Sequence, residues 1–357
     1  LQQECPRSLV REMEQNELGY SVGLWKKIAD MGWLGLVFPE EYGGIGEDFV
    51  SLCIVIEEMG RALFPGPFFS SVVLTGLPIS KYGTIAQQSE FLPGIADGSL
   101  VAALALNERG FSYDPSGVKL EARQIDSGFI LNGVKGFVEN ANSSSTFLVA
   151  ARTQTGSTTQ GITLFLVPAQ ASGLKQNLLD TSEPGKKSEL VFSDVLVSNE
   201  SILGEVHGGW EILKHVIEWG AVAKCAEMIG QVEAVLGMTV EYVNQRVQFG
   251  RPIGSFQAIQ DHCTDMAINL KAARNITYQA AWRLSKGLPS DFSVAYAKSW
   301  VSDAAGRICD LSHQSHGAVA FTREYDLYLY VNGVKANEVA FGDGHFHREK
   351  IAQLLSL

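Results

Sequence analysis

The stretch Arg246-Val247-Gln248-Phe249-Gly250-Arg251-Pro252-Ile253-Gly254-Ser255-Phe256-Gln257 decides how this chain is read. It interrupts a long helical pattern. Before it, Val232, Val235, Leu236, Thr239, Val240 and Val243 form one stripe of a helix. Pro252 and the two glycines cannot comfortably continue that helix. After it, Ser255 predicts the N-cap of a second helix with Ile259, Cys263, Met266, Ala267 and Leu270 on one face. The segment is therefore a tight turn between two helices, bracketed by an Arg and a Gln. Taken alone it has two readings. It is a helical corner with a surface arginine, or a loop where a guanidinium grips a diphosphate and glycine lets the backbone approach closely.

Outward from this turn, the pattern is helical from Gly209 onward, with a further helix predicted from Ser290 to about His313. Over 100–203 it changes to short runs rich in Val, Ile, Leu and Phe. The runs 146–151, 161–167 and 190–192 read as strands, and 156–160 as a small polar loop. Asp126-Ser127-Gly128 and Asn132-Gly133 predict hairpin turns within 119–138. From 22 to 97 the pattern is helical again. Phe49, Leu52, Cys53, Ile56, Met59 and Leu63 mark one amphipathic face, and Phe38-Pro39-Glu40-Glu41-Tyr42-Gly43-Gly44 is a turn-rich loop. Helices, then strands, then helices predict an α+β protein rather than an alternating βαβ sheet. The expected segments are 1–100, 101–204 and 205–357.

The 357 residues, 46% hydrophobic and 19% charged, are enough for one large core or two to three smaller ones. A net charge of -11 argues against nucleic-acid or membrane-surface binding, which needs basic patches. No apolar run reaches membrane-spanning length. Cys5, Cys53, Cys225, Cys263 and Cys309 are odd in number, widely spaced and lack any CxxC. That is the usage of a reduced, cytoplasmic protein with cysteines in its core and no structural metal. The chain begins at Leu1, which leaves a removed targeting segment open.

Several segments together resemble the acyl-CoA dehydrogenase family, in order and over nearly the whole chain. The turn at Arg246 is similar to that family's flavin-diphosphate loop. The segment 38–44 is similar to its Pro-Glu-Glu-Tyr-Gly-Gly loop, and Asn107-Glu108-Arg109-Gly110-Phe111-Ser112-Tyr113-Asp114 to its Thr-Glu-Pro-Gly-x-Gly-Ser-Asp loop. Asn132-Gly133-Val134-Lys135-Gly136-Phe137-Val138 and Gln314-Ser315-His316-Gly317-Ala318-Val319-Ala320-Phe321 match two further segments. The resemblance implies an N-terminal helical domain, a central antiparallel β-barrel-like domain and a C-terminal four-helix bundle. It also implies FAD at a subunit interface. By the same resemblance, Arg246, Phe249, Gly250 and Gln257 meet the diphosphate region of FAD bound mainly by a neighbouring subunit. Gln314 and Gly317 lie along the adenosine-diphosphate half. Leu106, Asn107, Phe137, Val138 and Glu139 lie near the isoalloxazine. Asn107 and Glu139 stand where the family often has Thr or Ser, and Ala318 and Ala320 replace glycines.

The chemistry this implies needs a general base for the α-proton of a thioester, while the β-hydride leaves for the flavin. The family takes that base, a Glu, from one of two places. In register, Phe341 occupies the first and Gly220 the second, with Ala221 in place of the accompanying Arg. Glu218 and Asp343 lie one or two positions away and are the candidate displaced bases; otherwise Glu218 faces solvent and Asp343 caps a turn. Asp343, His345 and His347 also raise a metal site, but they read better as helix residues beside the family's C-terminal His-Arg pair. The function expected is FAD-dependent α,β-dehydrogenation of an acyl-CoA. The alternative is a non-catalytic subunit completing a partner's FAD site. The resemblance is strongest to a bacterial branch with mixed tetramers. It implies a homodimer, homotetramer or heterotetramer, with an electron-transfer flavoprotein as possible acceptor.

Overall fold

A computed structural model describes residues 1, 3–156, 159–181 and 185–357 of the chain. It opens with α1 (Arg7–Gln15), α2 (Val22–Asp30), α3 (Phe49–Ala62), a π-helical stretch over Phe69–Gly76, α4 (Leu77–Tyr82) and α5 (Ile85–Ala96). Short polar side chains set several of these starts. Ser21 and Asp48 accept the orphan amides at the heads of α2 and α3, and Thr84 with Gln87 closes a capping box on α5.

Eight strands follow: β1 (Ala102–Ala105), β2 (Glu121–Ile125), β3 (Gly128–Glu139), β4 (Thr146–Arg152), β5 (Ile162–Pro168), β6 (Leu174–Leu179), β7 (Lys187–Ser198) and β8 (Ile202–Leu203). They form one sheet in the order β6-β7-β3-β2-β4-β5-β8, with β1 added on β4. The pairing is antiparallel except where β1 and β2 run parallel to β4, so the central sheet is mixed. Phe129, Leu131, Phe147, Phe165 and Phe192 fill a core of its own. Asn132-Gly133 is not a hairpin turn. It lies inside β3, where the register against β7 shifts between Leu131 and Gly133. Asn132 Nδ2 donates to Asp194 Oδ1 (2.9 Å), and Asp194 N–H donates to Asn132 Oδ1 (2.8 Å). An Asn-Gly pair suits a bulge as well as a turn, and the strand that decides between them comes some sixty residues later.

The C-terminal part comprises α6 (Gly209–Gln245), the small hairpin β9 (Val247–Gln248) and β10 (Arg251–Pro252), α7 (Gln257–Ser285), α8 (Asp291–His316), α9 (Leu327–Val339) and α10 (Gly344–Leu354). Met228, Val232, Met266, Ile308 and Tyr330 meet between the helices. Ser255 does not cap α7: its hydroxyl donates to Pro252 O (2.7 Å) and closes a short 3-10 turn, leaving Phe256 at the cap position.

Two glycines join the N-terminal helices to this bundle. A Cβ on Gly60 of α3 would lie 2.2 Å from Glu227 O, and one on Gly230 of α6 would lie 1.8 Å from Glu57 O. The two backbones touch where they cross. Beside the crossing, buried Glu57 accepts from Arg274 (2.8 and 3.1 Å) and from the Tyr278 hydroxyl (2.7 Å), which ties α3 to α7. Among the described residues no helix is long and apolar enough to cross a membrane, and no three metal-ligating side chains come together.

Candidate active site

Between α9 and α10 the chain turns through Phe341 (φ 58°) and Gly342 (φ 93°). A left-handed aromatic residue costs on the order of 1–2 kcal/mol, so its surroundings must hold it. They do so at both backbone groups. Phe341 N–H donates to Tyr113 Oη (2.9 Å), and Phe341 O accepts from His347 Nε2 (2.9 Å). His347 is buried, which pushes its pKa down to about 4, and the neutral ring donates to Phe341 O as the Nε2–H tautomer. The Phe341 ring stacks on Tyr113 (5.6 Å) and meets Phe69 edge-on (5.8 Å). Gly220 lies directly against it: a Cβ there would sit 2.7 Å from two ring carbons. The two positions where a base was sought, far apart in sequence, are one place in space, and an aromatic ring fills it.

The two displaced carboxylates point elsewhere. Asp343 Oδ1 accepts from Phe346 N–H (2.8 Å) as the N-cap of α10. Glu218 is buried, not solvent-facing, and turns toward Ser290, whose hydroxyl donates to Oε2 (3.2 Å). Burial first, then the charge of Asp291, pushes its carboxyl up to about 7.

A cavity of about 990 Å³ adjoins the Phe341 cluster through Phe69. Its walls come from α1, α3 and the loop after it, the ends of β3, β6 and β7, and from α6 and α9. Glu139, at the end of β3, lines it, whereas Glu218 and Asp343 do not. Burial opposes ionisation of Glu139, but the charges of Lys224 and Lys187 outweigh it and hold the carboxyl below its ordinary range. Lys224 Nζ donates to Glu227 (2.9 Å) and rests 4.0 Å over the Phe69 ring.

The proposed isoalloxazine residues gather near this end. Asn107 Oδ1 is buried and has no partner. The loop that carries Asn107 is clamped by Lys135, whose buried Nζ donates to Leu106 O (3.0 Å) and Glu108 Oε1 (2.6 Å). Gly136 N–H donates to Asn107 O (2.9 Å). Burial pushes the Lys135 pKa down to about 8, with Glu108 opposing. Phe137 (φ 53°) projects outward against Phe111 (4.8 Å), and Val138 is buried behind it.

The remaining flavin candidates lie at the other end of α6. Arg246 ends that helix, Phe249 (φ 51°, 92% exposed) and Gly250 (φ 80°) form the hairpin tip, and Gln257 is exposed at the start of α7. Gln314 and Gly317 (φ 67°) end α8 at this same end, because Tyr242 stacks on His316 (4.5 Å) and Thr239 bonds Ser312 (2.8 Å). Gly220 and Arg246 are 26 residues apart on one helix, roughly 39 Å. One chain therefore brings the candidates together as two groups, not one. The roles of Tyr113 and Lys224 rest on contacts distant in sequence, with Phe341 and Phe69, whereas His347 reaches back only six residues to Phe341 O.

Family models for the acyl-CoA dehydrogenase N-terminal, middle and C-terminal domains match residues 1–99, 103–195 and 207–356. The short-chain specific acyl-CoA dehydrogenase of Megasphaera elsdenii is 32% identical over 333 residues, 90% of this chain and 87% of that protein. The solved butyryl-CoA dehydrogenase of the same organism superposes with a TM-score of 0.91 at 30% identity, covering 98% of this chain and 94% of that one. A chain of the ChsE4-ChsE5 complex of Mycobacterium tuberculosis superposes with a TM-score of 0.88 at 28% identity, covering 99% and 93%. The chain belongs to the acyl-CoA dehydrogenase family, FAD-dependent oxidoreductases that act on the CH–CH bond of acyl-CoA thioesters. Its residues fit FAD. Asn107 presents a buried oxygen without a partner, and the backbone at Gly250 and Gly317 is open, with nothing within 4 Å of a Cβ built there.

Proposed function

We propose that this chain oxidises an acyl-CoA at its α,β bond, using FAD in a site completed by a second chain. The observation that carries the reading is the separation of the flavin candidates along α6. Lys224, whose charge acts on Glu139, and Arg246 are 22 residues apart along that helix, roughly 33 Å, so the isoalloxazine and diphosphate candidates of a single protomer form two separate groups. A flavin beside Phe137, Val138 and Glu139 of one chain takes its diphosphate contacts from Arg246, Phe249, Gly250 and Gln257 of another, and Gln314 and Gly317 follow its adenosine half. Arg246 neutralises phosphate charge there. That partner is a second copy, in a homodimer or homotetramer, or a related chain in a heterotetramer. An electron-transfer flavoprotein is the acceptor.

When bound, FAD supplies the oxidant for the β-hydride. The α-proton needs an acceptor, and with positions 220 and 341 lacking a carboxylate and Glu218 and Asp343 turned elsewhere, that role falls to Glu139, which lines the cavity and is held ionised by Lys224 and Lys187. Asn107 offers its unpaired oxygen to the flavin. The clamp between Lys135 and Glu108 fixes the Asn107 loop. Lys186, Lys187 and Arg323 at the cavity set positive charge where coenzyme A phosphates enter. Tyr113 and His347 hold Phe341 over Gly220, which excludes water from that spot. The test is anaerobic mixing of the FAD-loaded assembly with a panel of acyl-CoAs. Bleaching of the oxidised flavin by at least one is expected, and no bleaching by any would refute the dehydrogenase reading.

A further inference from the structure

The face of α6 that starts under Phe341 continues along the cavity. Lys224, Glu227 and Gln231 follow Gly220 at four, seven and eleven residues, one side of a helix. All three line the cavity, and Lys224 and Gln231 are only 7% and 3% exposed. They form a connected polar row. Lys224 Nζ donates to Glu227 Oε2 (2.9 Å), Gln231 Nε2 donates to Glu227 Oε1 (3.4 Å), and Asn337 Nδ2 on α9 donates to Gln231 Oε1 (3.3 Å). Gly333 makes room for this row, since a Cβ there would lie 2.7 Å from Gln231 Nε2. Ile56, Met59, Leu63, Phe68 and Phe69 give the same cavity apolar lining. Its surface is therefore greasy in one part and polar in another.

An alkyl chain laid against the polar row would strip water from an ion pair and two amides and return no hydrogen bond. A chain carrying a hydroxyl or carbonyl oxygen would return one. A carboxylate beside Lys224 would have to displace Glu227, which already accepts from that ammonium (2.9 Å), and would lie in the same cavity as Glu139. We infer that this dehydrogenase takes an acyl-CoA whose acyl chain bears a neutral hydrogen-bonding oxygen beyond the β-carbon, and that Lys224 and Gln231 select it. Lys224 lies roughly 6 Å and Gln231 roughly 16 Å along α6 from Gly220, so the oxygen sits some way down the chain from the reacting carbons. The inference rests on the acyl-CoA reading above.

The test compares an ω-hydroxyacyl-CoA with the alkyl acyl-CoA of equal length, on the FAD-loaded assembly. Dissociation constants come from calorimetry and flavin bleaching from stopped flow. The hydroxylated thioester is expected to bind about tenfold tighter, the worth of about 1.4 kcal/mol. Gln231→Leu, and separately Lys224→Met, should erase that preference by weakening the hydroxylated thioester and tightening the alkyl one; thermal melts check that each variant is folded. Equal or tighter binding of the alkyl thioester by the unmodified protein overturns the inference, whatever the variants do. So does equal weakening of both ligands in the variants, which would put the polar row on the coenzyme A portion. A preserved binding preference with no bleaching by any thioester would instead refute the dehydrogenase reading and leave the selective pocket standing.

Discussion

Substituting Gly220 by Ala tests whether the two base positions share one spot. In a helix interior this change ordinarily stabilises by about 1 kcal/mol. Here the new methyl would lie 2.7 Å from two carbons of the Phe341 ring and 2.9 Å from a third. The ring cannot simply slide away, because Phe341 is bonded at N–H to Tyr113 and at C=O to His347. Overpacking of this kind costs about 1–3 kcal/mol, so the net effect is a loss of up to about 2 kcal/mol instead of a gain. In a Phe341→Ala background the obstacle is gone, and the same change should stabilise by about 1 kcal/mol. The coupling between the sites is then about 1–3 kcal/mol. Melting temperatures at fixed protein concentration and saturating FAD measure it, at about 2 °C per kcal/mol. Gly220→Ala should lower the melting point of the parent and raise that of the Phe341→Ala variant. Equal stabilisation in both backgrounds would refute the contact.

Four further outcomes follow from the same structure. Glu218, raised to about 7, keeps in the fold a proton that the unfolded chain has lost above 4.5, so stability falls as pH rises between these values. Glu218→Gln should therefore stabilise the protein at pH 8 by up to about 3 kcal/mol, and loss of flavin bleaching in this variant would instead reinstate Glu218 as a base. His347, lowered to about 4, stays neutral in the fold while the unfolded chain protonates below 6.5. Its stabilising contribution is lost as pH falls from 6.5 toward 4, and His347→Gln should flatten that part of the melting profile; an unchanged profile would contradict the burial argument. Arg246→Ala should leave the fold intact but lower the ratio of FAD to protein measured by absorbance, and full occupancy would count against the diphosphate role. Light scattering should show flavin only on an oligomer, so a stable flavin-loaded monomer would sink the two-chain site.

Local patterns carried the fold a long way. The shift from helical to strand periodicity and back gave the order helices, strands, helices, and the stripe from Val232 to Val243 lies within α6. These features depend on residues within a few turns or a few strand positions, where period and capping chemistry act. Locally ambiguous chemistry was less legible. Asn132-Gly133 suits a turn or a bulge equally, and β7 made it a bulge. Ser255 is a good cap by type, yet its hydroxyl turned back to Pro252.

The order of segments, the helical turn at Arg246 and the absence of Glu at positions 220 and 341 were determined by the sequence alone. What only the tertiary structure decided is that Gly220 and Phe341 are the same site, that Glu218 and Asp343 are committed elsewhere, and that Lys224 and Gln231 line a cavity. Each of those is a meeting of residues from elements far apart in the chain. Which such residues meet depends on how whole helices cross. At the crossing of α3 and α6 that is fixed by backbone contact at Gly60 and Gly230, a property no local pattern encodes.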